Sequence, residues 1–141
     1  MTQEFRKNIN VPGTAFLNKV HIAGKLTESI TYVDTDESDA TIAEYTIGET
    51  ENIIAVVSKA TGSKTITLPD AQQNEGRMIW IFDAAAHANT VAIDIEYDTV
   101  STSIGTANGV RLLLATKFFN GTTFIYKWVV LIVIGSYTDL S

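Results

Sequence analysis

Thr65-Ile66-Thr67-Leu68-Pro69-Asp70-Ala71 leads through a polar loop to Gly76-Arg77 and then Met78-Ile79-Trp80-Ile81-Phe82-Asp83, and this stretch decides the fold class. Its first part alternates, with Ile66 and Leu68 on one face, and stops at Pro69, which has no N–H to give to a ladder. Its second part is apolar on both faces from Met78 to Phe82. That pattern predicts a strand covered by protein on either side, the mark of a β-rich core.

The same pattern continues outward. Ile53-Ile54-Ala55-Val56-Val57 reads as a buried strand, and residues 59–63 form a turn around Gly62. Val91, Ile93, Ile95 and Tyr97 share one face, opposite Ala92, Asp94 and Glu96. Asn108-Gly109 and Asn120-Gly121 are predicted hairpin turns, because Asn and Gly tolerate positive φ. The strands flanking the second cover residues 110–118 and 122–134. Strands thus recur about every 8–14 residues, the spacing of an antiparallel β-sandwich or barrel. Ala84-Ala85-Ala86-His87-Ala88 favours helix but is too short for more than one turn.

Upstream the character changes twice. Residues 1–18 mix Asn, Gly, Pro and Thr with isolated hydrophobics and are expected to form an extended N-terminal arm. Residues 19–51 hold short alternating pieces around the turn Ala23-Gly24-Lys25, then an acidic run from Asp34 to Asp39. Residues 52–141 carry the dense β pattern and are expected to form the sandwich module.

Composition agrees. Thr, Ile and Val supply 46 of the 141 residues, which fits pleated, half-buried surfaces. No cysteine is present, so disulfides, thiolate metal sites and a cysteine nucleophile are excluded. A net charge of −6 argues against nucleic acid as a partner. The charge is uneven: residues 1–27 sum to +3, while residues 28–51 hold eight carboxylates and no Lys or Arg. Residues 1–10 lack the apolar stretch of a secretory signal. The longest apolar run, residues 129–134, is far short of a membrane helix and reads as a buried strand.

Chemistry-bearing patterns are sparse. Asp34, Asp36 and Asp39 raise the question of calcium, but an EF-hand loop would need Gly and a carboxylate where Asp39 and Tyr45 stand. The run is read as a solvated loop. His21 and His87 lack zinc spacing, and His87 is assigned to a surface or interface. No G-x-S-x-G elbow and no glycine-rich phosphate loop occur. Asp94 and Glu96 fall on a strand's polar face. The rings of Trp80, Trp128, Tyr97 and Tyr126 could stack against a sugar, but Trp80 in the most apolar strand and Trp128 beside an apolar run read as core residues. Asn120-Gly121-Thr122 is a hairpin turn rather than a glycosylation acceptor. No enzymatic activity, metal or cofactor is expected.

From about residue 52 to residue 134 the order of pieces resembles a module of tailed-phage virion proteins. The matching pieces are residues 53–57, 65–71, Gly76-Arg77, 79–83, 91–95 and the Asn120-Gly121 hairpin leading to Trp128. The chain departs from that pattern in the Ala-rich turn after Asp83 and in its longer, more apolar tail after residue 129. The resemblance implies a small β-sandwich or prism-like fold, usually trimeric, on capsid decoration, cement, head-fibre or tail-fibre proteins. It implies a homotrimer in the virion, assembled in the host cytoplasm, with the major capsid protein or other virion proteins as partners and no role for nucleic acid or membrane. On that expectation Phe5, Ile9, Val11 and Phe16 anchor the arm to the shell, with Arg6 and Lys7 as charge contacts. The alternative is a receptor- or glycan-binding tip of a tail fibre.

Overall fold

The computed structural model describes residues 27–33, 43–57, 64–85, 92–138 and 140. The N-terminal arm with Phe5, Arg6, Lys7, Ile9, Val11 and Phe16, the acidic run 34–39, the turn 59–63, His21 and His87 lie outside these residues. The same holds for the turn at Ala23-Gly24-Lys25 and most of the Ala-rich segment.

Nine strands follow: β1 (Ile30–Val33), β2 (Ala43–Thr46), β3 (Ile53–Val56), β4 (Lys64–Thr67), β5 (Met78–Asp83), β6 (Ile93–Tyr97), β7 (Val100–Ile104), β8 (Val110–Phe119) and β9 (Phe124–Ile134). They form a five-stranded sheet ordered β1-β3-β5-β8-β9 and a four-stranded sheet ordered β2-β4-β6-β7. The described residues contain no helix, and the two sheets pack as an all-β sandwich.

The pairing is mixed rather than antiparallel throughout. From β1 to β6 the chain changes sheets at every step, so successive strands of one sheet run parallel: β1 with β3, β3 with β5, β2 with β4 and β4 with β6. Parallel neighbours need a crossover, and here a strand of the opposite sheet provides it in place of a helix. Antiparallel pairing begins only at the β6–β7 hairpin, where Asp98 takes a left-handed φ of 54°, and continues in β5–β8 and β8–β9.

The inner faces hold the core. Ile54, Val56, Ile79, Ile81 and Leu113 of the wider sheet meet Ile66, Ile93, Ile95 and Ile104 of the narrower one, with Tyr45, Tyr97 and Trp128 packed against the cluster. Each fully buried aliphatic side chain contributes about 1.5–3 kcal/mol. Ile66 and Leu68 point inward as their alternation predicts, and β4 ends ahead of Pro69. The Pro69 carbonyl then accepts from Trp128 Nε1 at 2.8 Å, joining the β4 exit to β9.

The two Asn-Gly turns serve different ends. Asn120 closes the β8–β9 hairpin: its Oδ1 accepts from the Thr122 and Thr123 N–H groups, and Gly121 has a φ of 96°. Asn108-Gly109 is not a hairpin. It carries the chain from β7 in one sheet to β8 in the other, with Asn108 at a φ of 57°. Gly109 is required by space, since a Cβ there would stand 2.5 Å from Ile104 Cγ2.

Candidate assembly surface

The register of the sheets sorts the outward side chains into rows that cross every strand. On the narrower sheet these rows are Glu44, Thr65, Asp94, Ser103 and Thr46, Thr67, Glu96, Ser101. All are polar, and Asp94 and Glu96 sit on the hydrated side as expected. On the wider sheet one row is Ile30, Ile53, Trp80, Leu112, Ile132 and the next is Tyr32, Ala55, Phe82, Val110, Ile134. A shorter row sets Met78 beside Leu114 and Val129. None of these carries a polar group other than the rim of Trp80 and the hydroxyl of Tyr32; Ala55, Val110 and Leu112 are themselves buried beneath their neighbours, and Ile30, Tyr32, Met78, Trp80, Ile132 and Ile134 carry the exposure. The sandwich therefore has one outer face suited to water and one that is not.

This overturns two expectations. The β5 strand is covered on one side only: Ile79, Ile81 and Asp83 are buried, while Met78 is 53% and Trp80 36% exposed. Trp80 is thus not a core residue. Residues 129–134 are not a buried strand in the single chain either, with Leu131 and Val133 half or more exposed. The physical reason is layer width. β9 is a fifth strand over a four-stranded partner sheet, so it overhangs, and among the described residues no further layer covers the wider sheet. Trp128, by contrast, is half-buried against the core.

Beyond the start of β5, past Met78, the β8–β9 hairpin runs on as two strands alone. Phe118, Phe119, Phe124 and Ile125 are exposed there on both faces. The Phe119 and Phe124 rings lie 5.3 Å apart, and Lys127 Nζ sits 3.7 Å from the centre of the Phe118 ring. Residues 116–127 contain these two lysines, Lys117 and Lys127, and no carboxylate. A two-stranded ribbon is marginal by itself in water, so these side chains are suited to a covering surface.

Two polar clusters hold the ends of β5 and set the orientation of its outward side chains. At its start Arg77 donates through Nε to Asn52 Oδ1 (3.1 Å), through Nη1 to Asn74 Oδ1 (2.8 Å) and through Nη2 to the carbonyls of Gly48 (2.6 Å) and Glu51. Burial pulls its pKa down, opposed by the charges of Glu51 and Glu49. Beside it the Glu51 carboxylate accepts from the Tyr45 hydroxyl at 2.5 Å, the Gly48 N–H at 2.7 Å and the Thr31 hydroxyl at 3.3 Å. The Tyr45 bond, the largest cause, holds the Glu51 carboxyl below its ordinary value, and the same bond pushes the Tyr45 phenol up to about 12. At the far end the buried Asp83 carboxylate accepts from the Ala85 and Asn108 N–H groups, pinning the sheet-changing turn to β5. The Gly-Arg and the terminal Asp of the opening motif are thus structural fastenings.

The four aromatic residues weighed as a platform are divided. Trp80 looks outward from the wider sheet, Tyr126 lies on the projecting hairpin with Lys117 Nζ 5.6 Å from its ring centre, and Tyr97 and Trp128 line a cleft of about 340 Å³. Both are committed to the scaffold, Trp128 through Pro69 and Tyr97 through the Ala71 N–H it accepts at 3.2 Å. No group of three or more potential metal ligands is found among the described residues. The outward rows, the overhanging strand and the projecting hairpin were missed from sequence, although Met78, Trp80 and Phe82 share one face by simple alternation. The chain matches no protein-family model, and no curated protein or solved structure matches it.

Proposed function

We propose that this protein is a structural component of a tailed-phage particle, a capsid decoration, cement or short head-fibre protein that acts as a homotrimer. The observation that carries the reading is the contrast between the polar rows of the narrower sheet and the apolar rows of the wider one. Three copies burying their wider sheets would present only hydrated faces outward. The virion setting rests on the resemblance of residues 52–134, whose pieces fall on β3, β4, β5, β6 and the β8–β9 hairpin.

In this reading the work is mechanical. The basic N-terminal stretch docks on the shell through Phe5, Ile9, Val11 and Phe16, with Arg6 and Lys7 as charge contacts. A trimer that engages several shell subunits at once gains through effective concentration rather than through one strong contact. The test is binding of the purified protein to shells lacking it, with and without residues 1–18. Binding that depends on those residues is expected. Attachment to host cells that persists without them would instead favour a receptor-binding tip.

A further inference from the structure

We propose that the free end of the β8–β9 hairpin, residues 116–127, is an intersubunit arm that packs into the hollow beside Trp80 on the wider sheet of the next copy. The inference rests on the self-association reading above and gives it a contact.

Fifteen large hydrophobics are exposed among the described residues, and all but Val100 and Leu140 lie on the wider sheet or its hairpin. Summed over the outer face, the overhanging side of β9 and both faces of the hairpin, their fractional exposures leave open on the order of 1,300 Å² of apolar surface, where the largest single patch of an ordinary monomer is ~300–600 Å². In a closed ring each copy divides this surface between two contacts, so each contact covers about the same total, within the ~1,200–2,000 Å² of a specific interface. Phe118, Phe119, Phe124 and Ile125 supply about a third of it. A contact that omitted them would leave that third in water, on a two-stranded hairpin that no other strand covers among the described residues. This places the arm in the interface.

Its complement is also on the molecule. Trp80 stands between two hollows on the wider sheet, one of about 360 Å³ lined by Glu28, Asn52, Ile53, Arg77 and Met78, the other of about 390 Å³ lined by Ile53, Phe82, Val110 and Tyr137. The second is lined almost wholly by apolar side chains and suits a Phe-rich arm, while the first adds polar edges at Glu28, Asn52 and Arg77, of which Glu28 is the one that can face Lys117 or Lys127. An arm-to-arm contact would leave Trp80 bare, whereas a head-to-tail contact covers both features and, with a three-fold rotation, closes as a ring of three. The apex, Asn120-Gly121-Thr122-Thr123, is polar and exposed. A lipid-inserting loop would carry its apolar residues at the tip; here they lie behind it, on faces that a protein surface covers.

The absence of cysteine makes the test direct. The variant Met78→Cys/Phe124→Cys, oxidised in dilute solution, is expected to give a covalent ladder ending at three chains, and neither single variant alone should give even a covalent dimer. In parallel, Phe119→Ser/Phe124→Ser is expected to shift the mass in solution from trimer to monomer while the far-ultraviolet spectrum stays β-rich. A trimer that persists in the serine variant, a covalent dimer from Phe124→Cys alone, or arm-dependent binding to anionic vesicles would each overturn the arm assignment while leaving self-association intact. A monomeric wild-type protein would instead remove the self-association reading itself. Should the serine variant not fold, the cross-linking pattern of the milder cysteine variants decides.

Discussion

Arg77→Ala tests how the β5 strand is held. The guanidinium ties the start of β5 to two segments, the β2–β3 connection at Gly48, Glu51 and Asn52 and the loop before β5 at Asn74. A hydrogen bond from a charged donor is worth ~1.5–3 kcal/mol when well buried. Here the Gly48 contact is exposed and the other three are half-buried, so a discount to about 1 kcal/mol for each of those three is appropriate. The expected loss is about 3 kcal/mol, which for a chain of this size lowers Tm by roughly 10 °C. Arg77→Lys should recover only part of it, about 1 kcal/mol, because an ammonium cannot span the same fork of acceptors. Urea unfolding followed by circular dichroism measures both, at one fixed protein concentration because association adds to apparent stability. A loss below about 0.5 kcal/mol for Arg77→Ala would refute the reasoning and mark the cluster as surface decoration.

Other expectations concern pH, space and the apolar face. Because the Glu51 carboxyl is held below its ordinary 4.5, its contribution is complete above that pH and disappears as pH falls through the lowered folded value. Tm should therefore drop in acid, and Glu51→Gln should flatten that limb. Tyr45 has the opposite sign: its stabilisation is complete below pH 10 and is lost as pH rises through about 12, a limb that Tyr45→Phe should remove. Gly109→Ala forces a methyl against Ile104 and the Thr106 carbonyl and should cost ~1–3 kcal/mol, while Gly105→Ala, with no atom within 4 Å, serves as a near-neutral control in the same unfolding assay. Trp80→Lys should dissociate the assembly without lowering β content, as read by light scattering and circular dichroism together.

Much of the scaffold is legible in the sequence because alternation is a local property. Ile66 and Leu68, Ile93 and Ile95, the stop at Pro69 and the hairpin at Asn120-Gly121 all follow from neighbours in the chain. Strand direction does not. A period of two says which side chains share a face and nothing about whether the adjacent strand runs the same way, so the parallel coils of β1 to β6 are invisible there. Asn108-Gly109 shows the same limit: its chemistry specifies a left-handed bend, while the sheets it joins depend on distant pairing. Arg77 stands out after Gly76, yet two of its acceptors are main-chain carbonyls near residue 50, which no side-chain pattern announces.

The open apolar face is hidden in the sequence for a different reason. Apolar residues on both faces of β5 and along residues 129–134 say that both faces leave water, without saying whether the cover comes from the same chain or from another. Composition alone therefore assigned Trp80 to the interior of one subunit. The structure places it at the centre of an open apolar face.

The mass of the purified protein in solution tests that face most directly. Sedimentation or native mass measurement across a dilution series is expected to show a discrete species of three chains that dissociates, if at all, only at low concentration. A chain that stays monomeric and soluble at all concentrations, with Trp80 accessible to an aqueous quencher, would contradict the account.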